Sequence, residues 1–172
     1  STHFYVEFDT KLEPKRFEKA LNKVIQRQEM LRAYICKDGT QVILDEVPYY
    51  VVEYRDLCKL SEEEKTKELT SYREKTSNRI FPLDTWPMFD FKFLRKDEES
   101  SILAIDIDMM IVDGMSTELL IHEIMHYYNS GLETEALEVG FSDYMGLEKQ
   151  QREKKAEADK AFWMKNIQRF TA

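Results

Sequence analysis

Positive charge is scarce in this chain. Its 172 residues carry 25 Lys and Arg against 33 Asp and Glu, a net charge of -8 with a pI near 5.1. An acidic surface lacks the basic patches that displace counterions from phosphate, so nucleic acid and anionic membranes are not expected as partners. Cysteine is rarer still. Cys36 and Cys58 form no CxxC pair and have no metal-ligand spacing, which argues against a disulfide framework and leaves a reduced, cytoplasmic compartment as the default. No apolar run approaches the ~20 residues of a membrane-spanning helix, and the N-terminus has no signal-peptide pattern. Internal repeats and low-complexity linkers are missing as well. What remains is 42% hydrophobic residues, enough for the core of one domain or of one lobe of a larger one.

The hydrophobic pattern is clearest at the two ends of the first hundred residues. From His3 to Asp9 the residues alternate, with Phe4, Val6 and Phe8 on one face, as in a half-buried strand. Pro14 suits a first helical turn, and Phe17, Ala20, Leu21, Val24 and Ile25 follow with helical spacing to about Gln28. Leu31 to Cys36 and Gln41 to Leu44 read as short strands joined at Asp38-Gly39, a strong hairpin signal. Val47 to Tyr54 reads as a further extended segment. Ser61-Glu62-Glu63-Glu64 has capping-box form and starts a polar helix toward Asn78, whose charge run is read as a solvated face.

Met88 to Lys96 and the strand from Ser101 form a second hairpin, with Phe89, Phe91 and Phe93 on one face. A helix then runs from Ser116 to about Asn129, ended by Gly131, and a last, highly charged helix spans roughly Phe141 to Gln168. Strands paired through hairpins with helices between them predict an α+β layered sheet, mostly antiparallel.

The chemistry concentrates where the second hairpin ends. Alternation places Leu103, Ile105, Ile107 and Met109 on one face, so Ile102, Ala104, Asp106 and Asp108 share the other. Asp113-Gly114 then reads as a turn, with Ser116 capping the next helix. Two carboxylates five apart and a hydroxyl three further on therefore meet at a strand end, a turn and a helix start. Ordinary turn and cap duties would account for those residue types too.

Asp108-x-x-x-x-Asp113-x-x-Ser116 resembles the DxxxxDxxS signature of heterocyclization domains of nonribosomal peptide synthetases, the variant of condensation domains that carries DxxxxD where ordinary members carry HHxxxDG. Other stretches agree in order. Phe4 to Asp9 is similar to that family's first strand, Arg27-Gln28-Glu29-Met30-Leu31-Arg32 to its Arg-His-x-Met-Leu-Arg segment, and Pro82-Leu83-Asp84-x-Trp86-Pro87 to a stretch of the cyclizing subgroup. Phe141 to Tyr144 and Phe162-Trp163 fit as well. Met109 stands where the reacting His of the ordinary motif would be, and it cannot move a proton.

The resemblance implies a chloramphenicol-acetyltransferase-like lobe over residues 1–140, with residues 141–172 leading toward a second, C-terminal lobe. It also implies a segment ahead of the first strand. Peptidyl carrier domains would deliver phosphopantetheine-linked substrates, and an adenylation domain would lie adjacent. The reaction would join an acyl thioester to tethered Cys, Ser or Thr and cyclodehydrate it to a thiazoline or oxazoline, without bound cofactor, metal or ATP. The residues implied are Asp108, Asp113 and Ser116, partly structural, with Arg32 expected to pair with Asp113 and fix the loop. Alone, the lobe is expected to be inactive, and copies of it could self-associate through the face that normally meets the second lobe.

One motif points elsewhere. His122-Glu123-Ile124-Met125-His126 is a literal HExxH, in which zinc peptidases use both histidines as ligands and the Glu to activate water. Helical projection puts both histidines opposite Leu120, Ile124, Tyr127 and Tyr128, on a solvated face. No third His follows at metal-binding spacing, and the chain has three histidines in all. The pattern therefore reads as a decoy, with no metal expected. A third reading is a non-catalytic docking lobe.

Overall fold

A computed structural model describes residues 3–132 and 135–167. Six strands and four α-helices are described. They are β1 (His3–Thr10), α1 (Pro14–Arg27), β2 (Ala33–Ile35), β3 (Gln41–Ile43), β4 (Glu53–Asp56), α2 (Glu62–Ser77), β5 (Phe89–Arg95), β6 (Ser101–Asp108), α3 (Gly114–Ser130) and α4 (Phe141–Ile167). Contacts divide the chain into residues 1–136 and 137–172.

The first unit is an α+β lobe whose main sheet has the order β1-β6-β5-β4, with β2-β3 as a separate hairpin. β1 and β5 both run antiparallel to β6, in registers that set Val6 and Phe91 opposite Ile105. Phe89, Phe91, Phe93, Leu103, Ile105 and Ile107 form one face, buried against Phe17, Leu21, Val24 and Ile25 of α1 and against Leu120 and Ile124 of α3. The ring of Phe17 meets Phe93 edge-on at 5.4 Å, the offset that aromatic quadrupoles favour. The opposite face packs Leu94 and Ile102 with Leu57, Leu69 and Tyr72, so α2 covers it. Although the charge run of α2 reads as solvated, its inner edge closes over the sheet. β6 is therefore buried on both sides.

Three local readings change for tertiary reasons. Residues Glu29–Arg32 form a 3-10 turn where a strand from Leu31 was expected. The Arg32 guanidinium there binds the carbonyl oxygens of Leu44, Ile25 and Gln26, closing open carbonyls at the end of α1. The extended segment before β4 takes its hydrogen bonds from α1 rather than from a strand. Asn22 accepts from the Tyr50 amide at 2.7 Å and donates to its carbonyl at 2.8 Å, and Glu18 accepts from the Val52 amide at 2.9 Å. Only Glu53–Asp56 reaches the sheet, and it pairs parallel with β5, so the sheet is mixed.

Helix ends follow local chemistry. Ser61 and Glu64 complete the capping box of α2, and Gly131, in the left-handed region at φ 65°, ends α3. Asp113 caps α3, its carboxylate accepting from the Ser116 amide at 2.7 Å. The cap expected of Ser116 thus belongs to Asp113. In the second unit, α4 begins where Asp143 accepts from the Gly140 amide, and it carries an Arg152–Glu148 pair one turn apart.

Two outcomes test this packing. Phe93→Ala should destabilise the fold by about 3–5 kcal/mol in urea unfolding, because it empties a fully buried ring site. Asp113→Ala should lower the melting temperature by a few degrees, whereas Asp113→Asn, which keeps an acceptor but loses the charge, should lower it by less at neutral pH. The Ser116 amide holds the Asp113 carboxyl below the usual aspartate range. The charge-dependent part of its contribution is thus present above the ordinary value and lost as pH falls through the lowered one, so the wild type and Asp113→Asn should converge in acid.

Candidate functional site

The site grows out of the last turn of β6. The Asp108 amide donates to the Met88 carbonyl at 2.9 Å, and the Asp108 carbonyl accepts from the Ile111 amide at 3.1 Å. Its side chain folds back so that Oδ1 accepts from the Met110 amide at 2.9 Å, an Asx turn that reverses the chain out of the sheet. Ile111 and Val112 then plug into the core, and Asp113 starts α3. The Asp113 carbonyl accepts from both the amide and the hydroxyl of Thr117, at 2.9 and 2.8 Å. Asp108 is fully buried, with Oδ2 lacking a hydrogen-bond partner, while Asp113 is exposed.

These bonds spend both carboxylates of the motif on backbone amides. Ser116 sits half-buried at the first turn of α3 and contributes its amide. Around the loop, Met109, Met110, Met115 and Leu119 are exposed. Arg32 is not brought to Asp113. The two form no ion pair within 4 Å, because the guanidinium is occupied by the carbonyls at the end of α1 while the carboxylate caps α3.

On the α2 side of the sheet, a line of charged groups leads to the same end of β6. His3 lies opposite Asp108 in the β1–β6 register, and its Nδ1 is 2.6 Å from Oδ1 of Asp106. Asp106 faces Asp90 directly across the β5–β6 ladder. Arg79 sits between them, 2.6 Å from Oδ2 of Asp90 and 3.3 Å from Oδ2 of Asp106, the latter outside hydrogen-bond geometry. The Tyr50 hydroxyl donates to Asp90 at 3.2 Å while accepting from the Phe91 amide at 2.8 Å. Burial pushes the Asp106 carboxyl above the usual aspartate range, with His3 and Arg79 pulling it back and Asp90 adding to the rise. Tyr72 of α2, above this layer, is pushed up to about 12, chiefly by burial.

Pattern reading placed Asp106 on the correct face but did not assemble the cluster. The available signal was the occurrence of Asp at 90 and 106, each on the face of an apolar strand opposite its Phe or Ile residues. Like charges in that setting require a compensating cation.

The HExxH stretch lies on α3, with His122 and His126 exposed. Glu123 turns instead toward α1, pairing with Arg27 and accepting from Gln28 Nε2 at 2.7 Å. His122 comes within 3.9 Å of Glu118. Glu123 thus joins two helices, and among the described residues no three His, Cys, Asp or Glu side chains converge as a metal site. Nor is any described helix long and apolar enough to cross a membrane.

Known proteins resemble this chain in sequence and in fold. Bacitracin synthase 1 of Bacillus licheniformis is 30% identical over 172 residues, covering 99% of this chain and 3% of that protein. Pyochelin synthetase PchF of Pseudomonas aeruginosa is 30% identical over 167 residues, covering 95% of this chain and 9% of that protein. Among solved structures, the EpoB nonribosomal peptide synthetase cyclization-docking bidomain from Sorangium cellulosum superposes with a TM-score of 0.89 at 28% identity, over 97% of this chain and 34% of that one. The chain thus spans a small fraction of the curated relatives and about a third of the solved bidomain. The condensation-domain family model matches residues 1–172, and with the lobe fold and the strand–turn–helix site in place, the chain belongs to the condensation-domain family.

Proposed function

We propose that the chain is the N-terminal lobe of a heterocyclization domain within a nonribosomal peptide synthetase, with residues 1–140 forming the lobe and 141–172 leading to a C-terminal lobe. The observation that carries this reading is the Asp108–Asp113–Ser116 turn. Its spacing is that of the cyclizing signature, and Met109 occupies the place of the ordinary motif's reacting His. The likeness to the EpoB cyclization-docking bidomain supports the same subtype. Both carboxylates bind backbone amides, which suits an architectural role for the motif, with cyclodehydration residues supplied by the second lobe.

Two carrier domains would bring a phosphopantetheine-linked acyl group and a phosphopantetheine-linked Cys, Ser or Thr to the turn, and an adenylation domain would load the latter. The amine attacks the thioester carbonyl, so that a C–N bond forms, the C–S bond breaks, and the departing thiolate takes up a proton. The side-chain thiol or hydroxyl then adds to the new amide carbon, and water leaves. Positioning supplies much of such an acceleration, and the rigid end of β6 is suited to it.

The test is mass spectrometry of the complete domain with acyl-loaded and cysteinyl-loaded carriers. An amide that then loses one water is expected. An amide that persists would identify ordinary condensation, and carrier binding without any amide would leave a docking lobe. Asp108→Asn, which retains the Met110 acceptor, should keep most of the condensation rate. Asp108→Ala should lose activity together with about 1–3 kcal/mol of stability, because it removes the charged acceptor of the Met110 amide from a fully buried site.

A further inference from the structure

As a carboxylate, Asp106 stands in a costly place. It is fully buried, faces the Asp90 carboxylate across the ladder, and has an Oδ2 without a hydrogen bond. Each of these features works against folding. Nor does the DxxxxDxxS spacing include it. What Asp106 does accomplish is to hold one imidazole nitrogen. Nδ1 of His3 lies 2.6 Å from its Oδ1, while Nε2 has no hydrogen-bond partner among the described residues. The His3 side chain is 17% exposed, and the residue stands opposite Asp108 in the register, at the strand end from which the turn departs.

A carboxylate that fixes one nitrogen of an imidazole orients the ring, selects the tautomer with a lone pair on the other nitrogen, and stabilises the imidazolium after proton uptake. From this geometry we infer that His3 is the proton acceptor of the condensation step, with Asp106 as its positioning residue. The inference rests on the acyl-transfer reading above, but not on cyclodehydration. As the acceptor amine attacks the thioester carbonyl, Nε2 of His3 takes the N–H proton. When the C–S bond breaks, the imidazolium returns that proton to the pantetheine thiolate, and no other reactant is required. The groups that set the charge around the ring are Asp106 and Asp108 from β6, Tyr5 from β1, Asp90 from β5, Arg79, and Tyr72 from α2. This assignment accounts for the mixed charges under α2, where Arg79 keeps two facing carboxylates compatible so that one can serve the imidazole.

The experiment is single-turnover amide formation by the complete domain, followed across pH together with melting temperature. His3→Asn keeps a donor for Asp106 but has no Nε2. It should fold, slow condensation by about a hundredfold or more, and lose the acid limb of the rate profile. Asp106→Asn still accepts from Nδ1 but carries no charge. It should slow condensation without lowering the melting temperature, a combination that a purely structural role would not produce. Wild-type rates in either variant overturn the inference, as does a slowed His3→Asn enzyme that keeps the wild-type acid limb. If His3→Asn fails to fold, Asp106→Asn decides by the same criteria. If the wild-type domain forms no amide at all, the acyl-transfer reading fails first, and the two failures are thereby told apart.

Discussion

Burial of β6 on both faces is the constraint on which the rest of the lobe depends. It is a central strand, bonded to β1 on one side and β5 on the other, and α1 with α3 close over one face as α2 closes over the other. A strand held in this way ends at a defined point in space. Each buried Phe, Ile or Leu along the sheet contributes about 1.5–3 kcal/mol on transfer from water, and the ladder converts that gain into a fixed register. The turn after Asp108 inherits this rigidity. Its own hydrogen bonds have only to reverse the chain, because the sheet has already placed it.

The same burial decides what polar residues cost. The chain carries an excess of acid, and most of it stays at the surface, where charge is cheap to solvate. Four of the acids that enter the interior, besides Asp108 at the turn, have distinct compensations. Glu18 accepts from the Val52 amide and lies 3.1 Å from Lys15, and Glu123 pairs with Arg27 between two helices. Asp90 shares Arg79 and Tyr50, while Asp106 has His3 and only the edge of Arg79. Asp106 is the least well satisfied of these. Its burial raises its proton affinity against the pull of His3 and Arg79, whereas a backbone amide lowers that of the exposed Asp113.

How much of this could be read from sequence follows the range of the interactions. The alternation of β1, the β5–β6 hairpin, α1, the Ser61 cap and the Gly131 stop leave their signal within a few residues, and period, capping and turn chemistry located them. The parallel β4, the 3-10 turn at Glu29–Arg32 and the burial of Asp106 rest on partners far along the chain. Nothing near Tyr50 indicates that Asn22 will take its backbone bonds, and nothing near Arg32 marks it as the closure of α1 rather than a partner of Asp113. α2 misleads in the opposite direction. Its composition is so polar that Leu69 and Tyr72 scarcely register as an inner edge, yet those residues shut the second face of the sheet.

Two short patterns in this sequence, HExxH and DxxxxDxxS, fit their templates equally well as strings, and the difference between them is convergence. On α3 the first pattern splits, its histidines facing solvent and its glutamate facing α1, so the residues have no common target. In the second pattern, strand, turn and helix bring every member to one loop, but there the carboxylates are bound by backbone amides and hold the loop's shape. A carboxylate bound in that way is a fixed acceptor. One bound to an imidazole remains part of a proton equilibrium, because the partner can gain or release the proton that they share. By that distinction the architecture of this site belongs to Asp108 and Asp113, and its capacity for proton transfer lies one step to the side, at the His3–Asp106 pair.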